Sequence, residues 1–180
     1  MNYPMKVLDK IKTFAHRKEI AKRGAMMEET VLLYPDPHLS APNEFVDFSK
    51  TTREDRVEIL QRLNAALNAQ EWGGRLGIAA PQIGLNLRVC VVAGIPMFNP
   101  TFTPPKHNPM VKMVEGCYSL SRNDLYEVER FKYGWVKWYD VDGVYHDVKY
   151  NGIKAIIAQH EISHLDGKCC NQLGTPCKKS

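Results

Sequence analysis

The feature that most constrains this chain is a pair of histidines four residues apart, His160 and His164, within an apolar helix pattern. Residues 152–164 place side chains at a three-to-four spacing on one face, which comprises Ile153, Ile156, Ile157, His160 and His164. Two imidazoles one turn apart can bind one divalent ion, and Glu161 beside them can hold or deprotonate a water. A buried, hydrogen-bonded histidine pair is the alternative. In both cases this face must be covered by the rest of the chain.

The stretch after His164 offers little for a third metal ligand. It contains no His and no Glu, and its one carboxylate is Asp166. Residues 160–164 form an HExxH motif, which is also found in zinc proteases. Those proteases take the third ligand from downstream, so that class is nearly excluded. The third ligand therefore comes from upstream or from one of the last cysteines, which are Cys169, Cys170 and Cys177.

One upstream cysteine, Cys117, stands in a setting that suits a ligand. It lies in the segment 115–119, Glu-Gly-Cys-Tyr-Ser, at the end of a predicted strand, where Gly116 permits close backbone approach. A thiolate is a good ligand for Zn or Fe(II). Considered alone, a cysteine of this kind is more often a buried, inert thiol.

A third segment, 77–84, reads Gly-Ile-Ala-Ala-Pro-Gln-Ile-Gly and predicts a tight turn of small residues within a loop over 75–84. Gln82 is its one polar side chain. The alternative interpretation is a connection between two glycines whose Gln points to water, so this segment alone is weak evidence for a site.

Elsewhere the pattern predicts one more helix and several strands. Thr52 and Asp55 form a variant capping box for a helix that reaches Trp72, and the proline-rich stretch 99–110 is predicted as a loop. Strands are predicted at 87–93, 111–114, 125–130, 135–139 and 144–149, with a hairpin turn at 142–143. The predicted fold class is α+β, with short antiparallel strands packed around a central helix that carries the HExxH motif.

Charge divides the chain into a basic leader, residues 1–29, and a single domain, residues 30–180. The first 24 residues carry seven Lys or Arg and only two carboxylates, Asp9 and Glu19, whereas the net charge of the whole chain is +4. The domain is therefore near neutral, which argues against a phosphate-binding surface on it. An organelle transit peptide is the alternative for residues 1–24, although the two carboxylates count against it.

The five cysteines are an odd number with no disulfide framework, which favours a reducing compartment. No stretch is long and apolar enough for a membrane span, and the N-terminus lacks a secretory signal. We therefore expect a soluble, cytoplasmic protein that does not bind membranes.

The three segments 77–82, 115–119 and 159–165, in this order, resemble the three signatures of peptide deformylases. Tyr34-Pro35-Asp36 extends the resemblance, which spans about residues 31–170, and the short chain is similar to C-terminally truncated, virus-encoded members. The resemblance implies one divalent metal held by Cys117, His160 and His164, with a water in the fourth position. Fe(II) is the ion expected from the family, with Zn, Ni or Co as replacements.

The resemblance also implies the reaction, which is hydrolysis of the N-formyl group from the initiator methionine of new polypeptides, with release of formate. Glu161 is then the general base, and the Gln82 amide and the Tyr118 N–H stabilise the oxyanion. The substrate-binding residues implied are Leu76, Gly77, Glu115, Gly116, Ile156 and Ile157. Glu115 is expected to position the loop or Gln82, and Ile156 and Ile157 to enclose the methionine side chain.

The expected partners are N-formyl-methionyl peptides, nascent chains and the ribosome, and the expected oligomeric state is a monomer. The alternative function is a catalytically weak, deformylase-like protein that binds formyl-Met peptides or ribosomes. The sequence departs from the family's pattern at Arg75, Tyr118 and Ser163, where Gly, Leu and Asp are common. The lost Asp commonly pairs with an Arg, so that support must be replaced or absent. The last three cysteines are interpreted as structural bystanders or redox-sensitive thiols.

Overall fold

Residues 29–107 and 109–177 are described by the computed structural model, so the predicted leader lies outside the described residues except for Glu29. The described helices are α1 (Arg53–Asn68), α2 (Gly152–Leu165) and α3 (Cys170–Leu173). The described strands are β1 (Gly77–Ala79), β2 (Val89–Val92), β3 (Ile95–Thr103), β4 (Met110–Glu115), β5 (Tyr126–Phe131), β6 (Tyr133–Tyr139), β7 (Tyr145–Asn151) and β8 (Thr175–Pro176).

The strands form two antiparallel sheets, and α2 contacts strands of both. One sheet has the order β1-β2-β3-β6-β7 and the other has the order β4-β5-β8. The predicted α+β class with antiparallel strands is confirmed. Within the described residues, no helix has the length and apolar character needed to cross a membrane.

The helix α2 is buried along most of its length because alanine, isoleucine and leucine make up half of its residues. Ala155 and Ala158 are fully buried and let the helix approach the five-stranded sheet closely, where Ile162 and Leu165 join the same cluster. Burying one such Ile or Leu contributes about 1.5–3 kcal/mol. This packing fixes the direction in which α2 presents the rest of its side chains.

The helix α1 begins at the predicted capping box and ends four residues earlier than predicted. The Thr52 hydroxyl accepts the Asp55 N–H at 3.2 Å, and the Asp55 carboxylate accepts the Thr52 N–H at 2.9 Å. The helix ends at Asn68, so the predicted end at Trp72 is wrong. The chain instead turns through Gly73 and Gly74, both at positive φ, because glycine adopts this conformation without steric cost.

Two stretches predicted as loops contain strands. Residues 77–79 form β1, which pairs with β2, and residues 99–103 complete β3. The small residues of β1 are all buried, so they show no alternation that would predict a strand. In β3, Asn99 has a φ of +53, and the register with β6 shifts between Phe98 and Thr101. Pro100 lies within this irregularity, so the N–H that proline lacks is not needed for regular strand pairing.

The strands β2, β4, β5, β6 and β7 lie within two residues of their predicted ends, and the predicted hairpin is confirmed, whereas β8 and the short helix α3 were not predicted. Tyr139 pairs with Tyr145, and the Gly143 N–H donates to the Asp140 carbonyl at 3.1 Å within the turn. At the start of the described chain, Glu29 pairs with Arg62 of α1, and both side chains are nearly buried.

We predict that Thr52→Ala lowers the free energy of unfolding by about 1 kcal/mol, because the Asp55 N–H loses its acceptor at the helix N-terminus. Urea unfolding followed by circular dichroism measures the change. Gln61→Ala, an exposed position on the same helix, is the control and should change stability by less than about 0.5 kcal/mol. Equal stability of the Thr52→Ala protein and the native protein would contradict the capping role.

Candidate metal centre and cleft

The three predicted ligands come together at the junction of the two sheets. Cys117 lies two residues after the end of β4, whereas His160 and His164 lie on α2. Their ligand atoms all lie within 4.8 Å of one another, and the Cys117 Sγ is 3.2 Å from His164 Nε2. One sulfur and two imidazole nitrogens suit Zn or Fe(II), and three protein ligands leave a coordination position for water or substrate. The residues present therefore fit a catalytic metal.

His160 is oriented by a buried ion pair. Its Nδ1 lies 2.9 Å from Glu115 Oε2, and Arg130 donates to both oxygens of Glu115 at 2.8 and 2.9 Å. Burial alone would raise the pKa of Glu115, but the hydrogen bonds from Arg130 and His160 outweigh it and lower the pKa to about 2. A carboxylate at Nδ1 leaves Nε2 to face the metal position. Glu115 thus contacts a ligand, whereas the sequence assigned it to the loop or Gln82.

The support lost with the family's aspartate at position 163 is replaced. Arg130 Nη1 donates to the Ser163 hydroxyl at 2.9 Å, and that hydroxyl donates to the Gln159 carbonyl at 2.6 Å. Glu115 supplies the charge that neutralises Arg130, so a neutral acceptor at position 163 is sufficient. This network ties α2 to the three-stranded sheet.

The second histidine has a thiol behind it, which the sequence interpretation missed. Cys169 Sγ lies 3.7 Å from His164 Nδ1. Interaction with Cys169 and burial raise the pKa of Cys117, while the interactions with Cys117 and His164 lower the pKa of Cys169. The sequence interpretation of Cys169 as a structural bystander or a redox-sensitive thiol did not include this contact with His164. The available signal was Gly167, which can turn the chain back toward the helix.

Glu161 is buried beside the ligands and depends on a glycine for its space. Its side chain is 4% exposed, and its Oε2 has no hydrogen-bond partner among the described residues. Burial, reinforced by the charge of Glu115, raises the pKa of Glu161 well above its usual range. A Cβ at Gly77 would lie 2.5 Å from Glu161 Oε1, so no larger residue fits against this carboxylate.

Gln82 is held with its amide group toward the ligands. Its Oε1 accepts the Ala79 N–H at 2.8 Å, which leaves the side-chain NH₂ facing Cys117 Sγ at 3.6 Å and Ser119 Oγ at 3.2 Å. The side chain is 2% exposed. The alternative in which Gln82 points to water is thus wrong, and its two N–H donors are fixed near the cluster.

Tyr118 departs from the family's pattern together with Arg75, and the two residues are in contact. The Tyr118 hydroxyl accepts the Arg75 N–H at 3.0 Å, and its ring packs edge-on against Trp72 at 5.1 Å. Arg75 adopts φ +54, a conformation in which a side chain is uncommon. The Tyr118 side chain thus closes one wall of the site and fixes the backbone of 73–75.

A cleft of about 450 Å³ opens beside the cluster. Among the predicted site residues, those that line it are Leu76, Gly77, Gln82, Glu115, Gly116, Cys117, Tyr118, Ile156, Ile157, His160 and Glu161. His164 lies behind them and is 1% exposed. The sequence interpretation missed the apolar remainder of the wall, which includes Trp72, Met113, Val114, Leu125 and Ile153.

An HExxH helix whose two histidines meet an upstream cysteine beside a buried glutamate defines a metal-dependent hydrolase. The family model "Polypeptide deformylase" matches residues 28–179, and the chain belongs to this family of enzymes. The predicted family is therefore confirmed. The family is metal-dependent, and the cysteine and two histidines of this chain form a cluster that can bind a metal.

Known proteins similar to this chain include a peptide deformylase of Streptococcus pneumoniae strain P1031, which is 28% identical. That match covers 73% of this chain and 77% of the relative. The class I type b peptide deformylase of Acinetobacter baumannii is 25% identical with a TM-score of 0.72, covering 79% of this chain and 96% of that one. A probable peptide deformylase of Synechococcus phage S-SSM7 is 30% identical with a TM-score of 0.70, covering 79% and 97%.

We predict that Glu115→Gln lowers the free energy of unfolding of the metal-free protein by about 3 kcal/mol, because it leaves Arg130 as an unpaired buried charge. The matched control is Glu127→Gln, which breaks the exposed pair with Lys112 across the same two strands and should cost less than about 1 kcal/mol. Urea unfolding measures both. Equal losses would show that burial does not distinguish the two pairs.

Proposed function

We propose that this enzyme removes the N-formyl group from the N-terminal methionine of newly synthesised polypeptides and releases formate. The observation that carries the proposal is the buried Glu161 carboxylate, with one oxygen free of protein partners, beside the cluster of Cys117, His160 and His164. A general base next to a potential metal centre is what hydrolysis of an unactivated amide needs.

Cys117, His160 and His164 would hold one divalent ion, with Fe(II) as the expected metal and Zn, Ni or Co as substitutes. When bound, such an ion polarises a carbonyl and lowers the pKa of water toward neutrality. Glu115 fixes His160 for this purpose through the hydrogen bond at Nδ1. Binding the ion requires the Cys117 thiol to lose its proton.

Glu161 moves the proton in the reaction. Its carboxylate takes a proton as water oxygen bonds to the formyl carbon, and it delivers a proton to the methionine nitrogen as the carbon–nitrogen bond breaks. Formate and a protonated amine are the products, so atoms and charges balance. Gly77 packs directly against this carboxylate, and Glu161 is 4% exposed, so little solvent reaches it.

The negative charge on the formyl oxygen in the transition state would be stabilised by the Gln82 side-chain N–H and the Tyr118 backbone N–H. Gln82 is held for this role by its bond from the Ala79 N–H, so little reorganisation is needed. Donors of this kind contribute about 3 kcal/mol each to transition-state stabilisation.

The cleft suits an unbranched apolar side chain followed by an extended peptide. Ile156 and Ile157, at 7% and 8% exposure, form its base, and Leu76 lies at the rim. We assign methionine to this part of the cleft. Gly77 and Gly116 would let the peptide backbone approach on both sides.

The partners that follow from this function are N-formyl-methionyl peptides and nascent chains, met at the ribosome by a monomeric enzyme. The corresponding location is the cytoplasm of a bacterial or virus-infected bacterial cell, or an organelle if residues 1–24 are a transit peptide. The alternative of a catalytically weak binding protein gains no support from the described residues. The groups that the reaction needs lie close together there, and they are Gln82, Cys117, His160, Glu161 and His164.

The test is formate release from formyl-Met-Ala-Ser by the anaerobic protein loaded with Ni(II) or Co(II). We expect turnover by the native chain and a loss of at least about 100-fold in Glu161→Gln, with unchanged metal content, because the amide cannot take the water proton. Absence of formate from the native protein with metal demonstrably bound would refute the function. Metal retained by Cys117→Ala would point to a different ligand.

We also predict that Gly77→Ala lowers kcat/KM by about 100-fold while metal content stays native, because the new Cβ displaces Glu161 from its position. Gly94→Ala is the control, since Gly94 has positive φ in the β2–β3 turn but open space around it. That variant should lose stability and keep its kcat/KM. Native kcat/KM in Gly77→Ala would show that Glu161 tolerates displacement.

A further inference from the structure

The two histidines of the cluster are backed by different chemistry. His160 has a carboxylate at Nδ1, whereas the partner at His164 Nδ1 is the Cys169 sulfur, at 3.7 Å. Histidines that bind metals are oriented by an acceptor at the second ring nitrogen, which fixes the tautomer and the ring plane. Cys169 occupies that place behind His164.

The backbone, rather than chance packing, brings Cys169 to this position. After α2 ends, Gly167 at φ +73 donates its N–H to the His164 carbonyl at 3.0 Å, and the Lys168 N–H returns to the Ser163 carbonyl at 2.9 Å. This turn reverses the chain toward the helix. The Cys169 N–H is then bound by Gln172 Oε1 at 2.8 Å, and the residue is 1% exposed.

A second sulfur lies on the other side of the same ring. The Cys117 Sγ is 3.2 Å from His164 Nε2, so the His164 ring lies between two buried sulfurs. Cys170, the next residue, is equally buried but packs in a cluster with Cys117, Leu120 and Val128.

We propose that Cys169 is a positioning residue of the metal centre: its sulfur accepts the His164 Nδ1–H, which fixes the ring and leaves Nε2 for the ion. The inference rests on the proposed function only in that Cys117, His160 and His164 bind the metal. Sulfur is a softer and weaker hydrogen-bond acceptor than the carboxylate behind His160, so the two histidines differ in basicity.

The experiment measures Co(II) binding to the whole chain under anaerobic conditions. Cys169→Val keeps the approximate volume and removes the acceptor, Cys169→Ser keeps an acceptor, and Cys170→Val is the matched control. We expect Co(II) affinity, from chelator competition, to fall about 10- to 100-fold in Cys169→Val and to be largely rescued in Cys169→Ser. Cys170→Val should bind as the native chain does.

The cobalt spectrum provides a readout that lost packing alone would not move. The thiolate-to-cobalt charge-transfer band reports the bond between the Cys117 sulfur and the metal, whose geometry depends on how the His164 ring is held, so we expect it to shift in both Cys169 variants. Native affinity and an unshifted band in Cys169→Val would overturn the proposal. If that variant does not fold by circular dichroism, Cys169→Ser decides, since its unshifted band would overturn the proposal.

Failure of this proposal is distinguishable from failure of the proposed function. Native cobalt binding without formate release would refute the deformylase reaction and leave the role of Cys169 to the affinities and spectra. Formate release by the native chain, with identical cobalt binding in all variants, would support the deformylase reaction and overturn the role of Cys169.

Discussion

The site depends on the buried ion pair between Arg130 and Glu115. It joins the three-stranded sheet to α2, because Arg130 also donates to Ser163 and Glu115 also receives His160. A buried pair of this kind is close to neutral for stability when compared with apolar residues. Its effect here is geometric, since one carboxylate fixes both the arginine and the ring of His160, a predicted metal ligand.

The same region separates two carboxylates by environment. Glu115 has a guanidinium and an imidazole, which keep its pKa at about 2, whereas Glu161 is buried without such partners and its pKa is raised. Opposite environments for two neighbouring carboxylates divide their chemical roles. Glu115 contacts the His160 ring, whereas Glu161 lies against Gly77, where the absence of a side chain leaves room for its carboxylate beside the cluster. In the proposed function the first orients a metal ligand and the second transfers the proton.

The sequence predicted the parts of the fold and site that have local patterns. The helix spacing placed His160 and His164 on α2, and the Thr52 cap located the start of α1. It did not predict β1, because small residues buried on both faces do not alternate, or β3, because proline normally excludes a ladder strand. It also did not predict that Glu115 contacts His160 or that Cys169 contacts His164. The first pair is distant in sequence and the second is separated by a turn, so no local pattern indicates either contact.

The departures from the family's pattern each lie in a set of contacting residues. Arg75 at positive φ would be strained alone, but its N–H is bound by the Tyr118 hydroxyl, which a leucine could not provide. Ser163 lacks the aspartate charge, but Arg130 is neutralised by Glu115. In both cases a hydrogen bond to a neighbouring residue fixes the position at which the chain departs from the family's pattern. The departures therefore leave Gln82 and Glu161 buried beside the cluster.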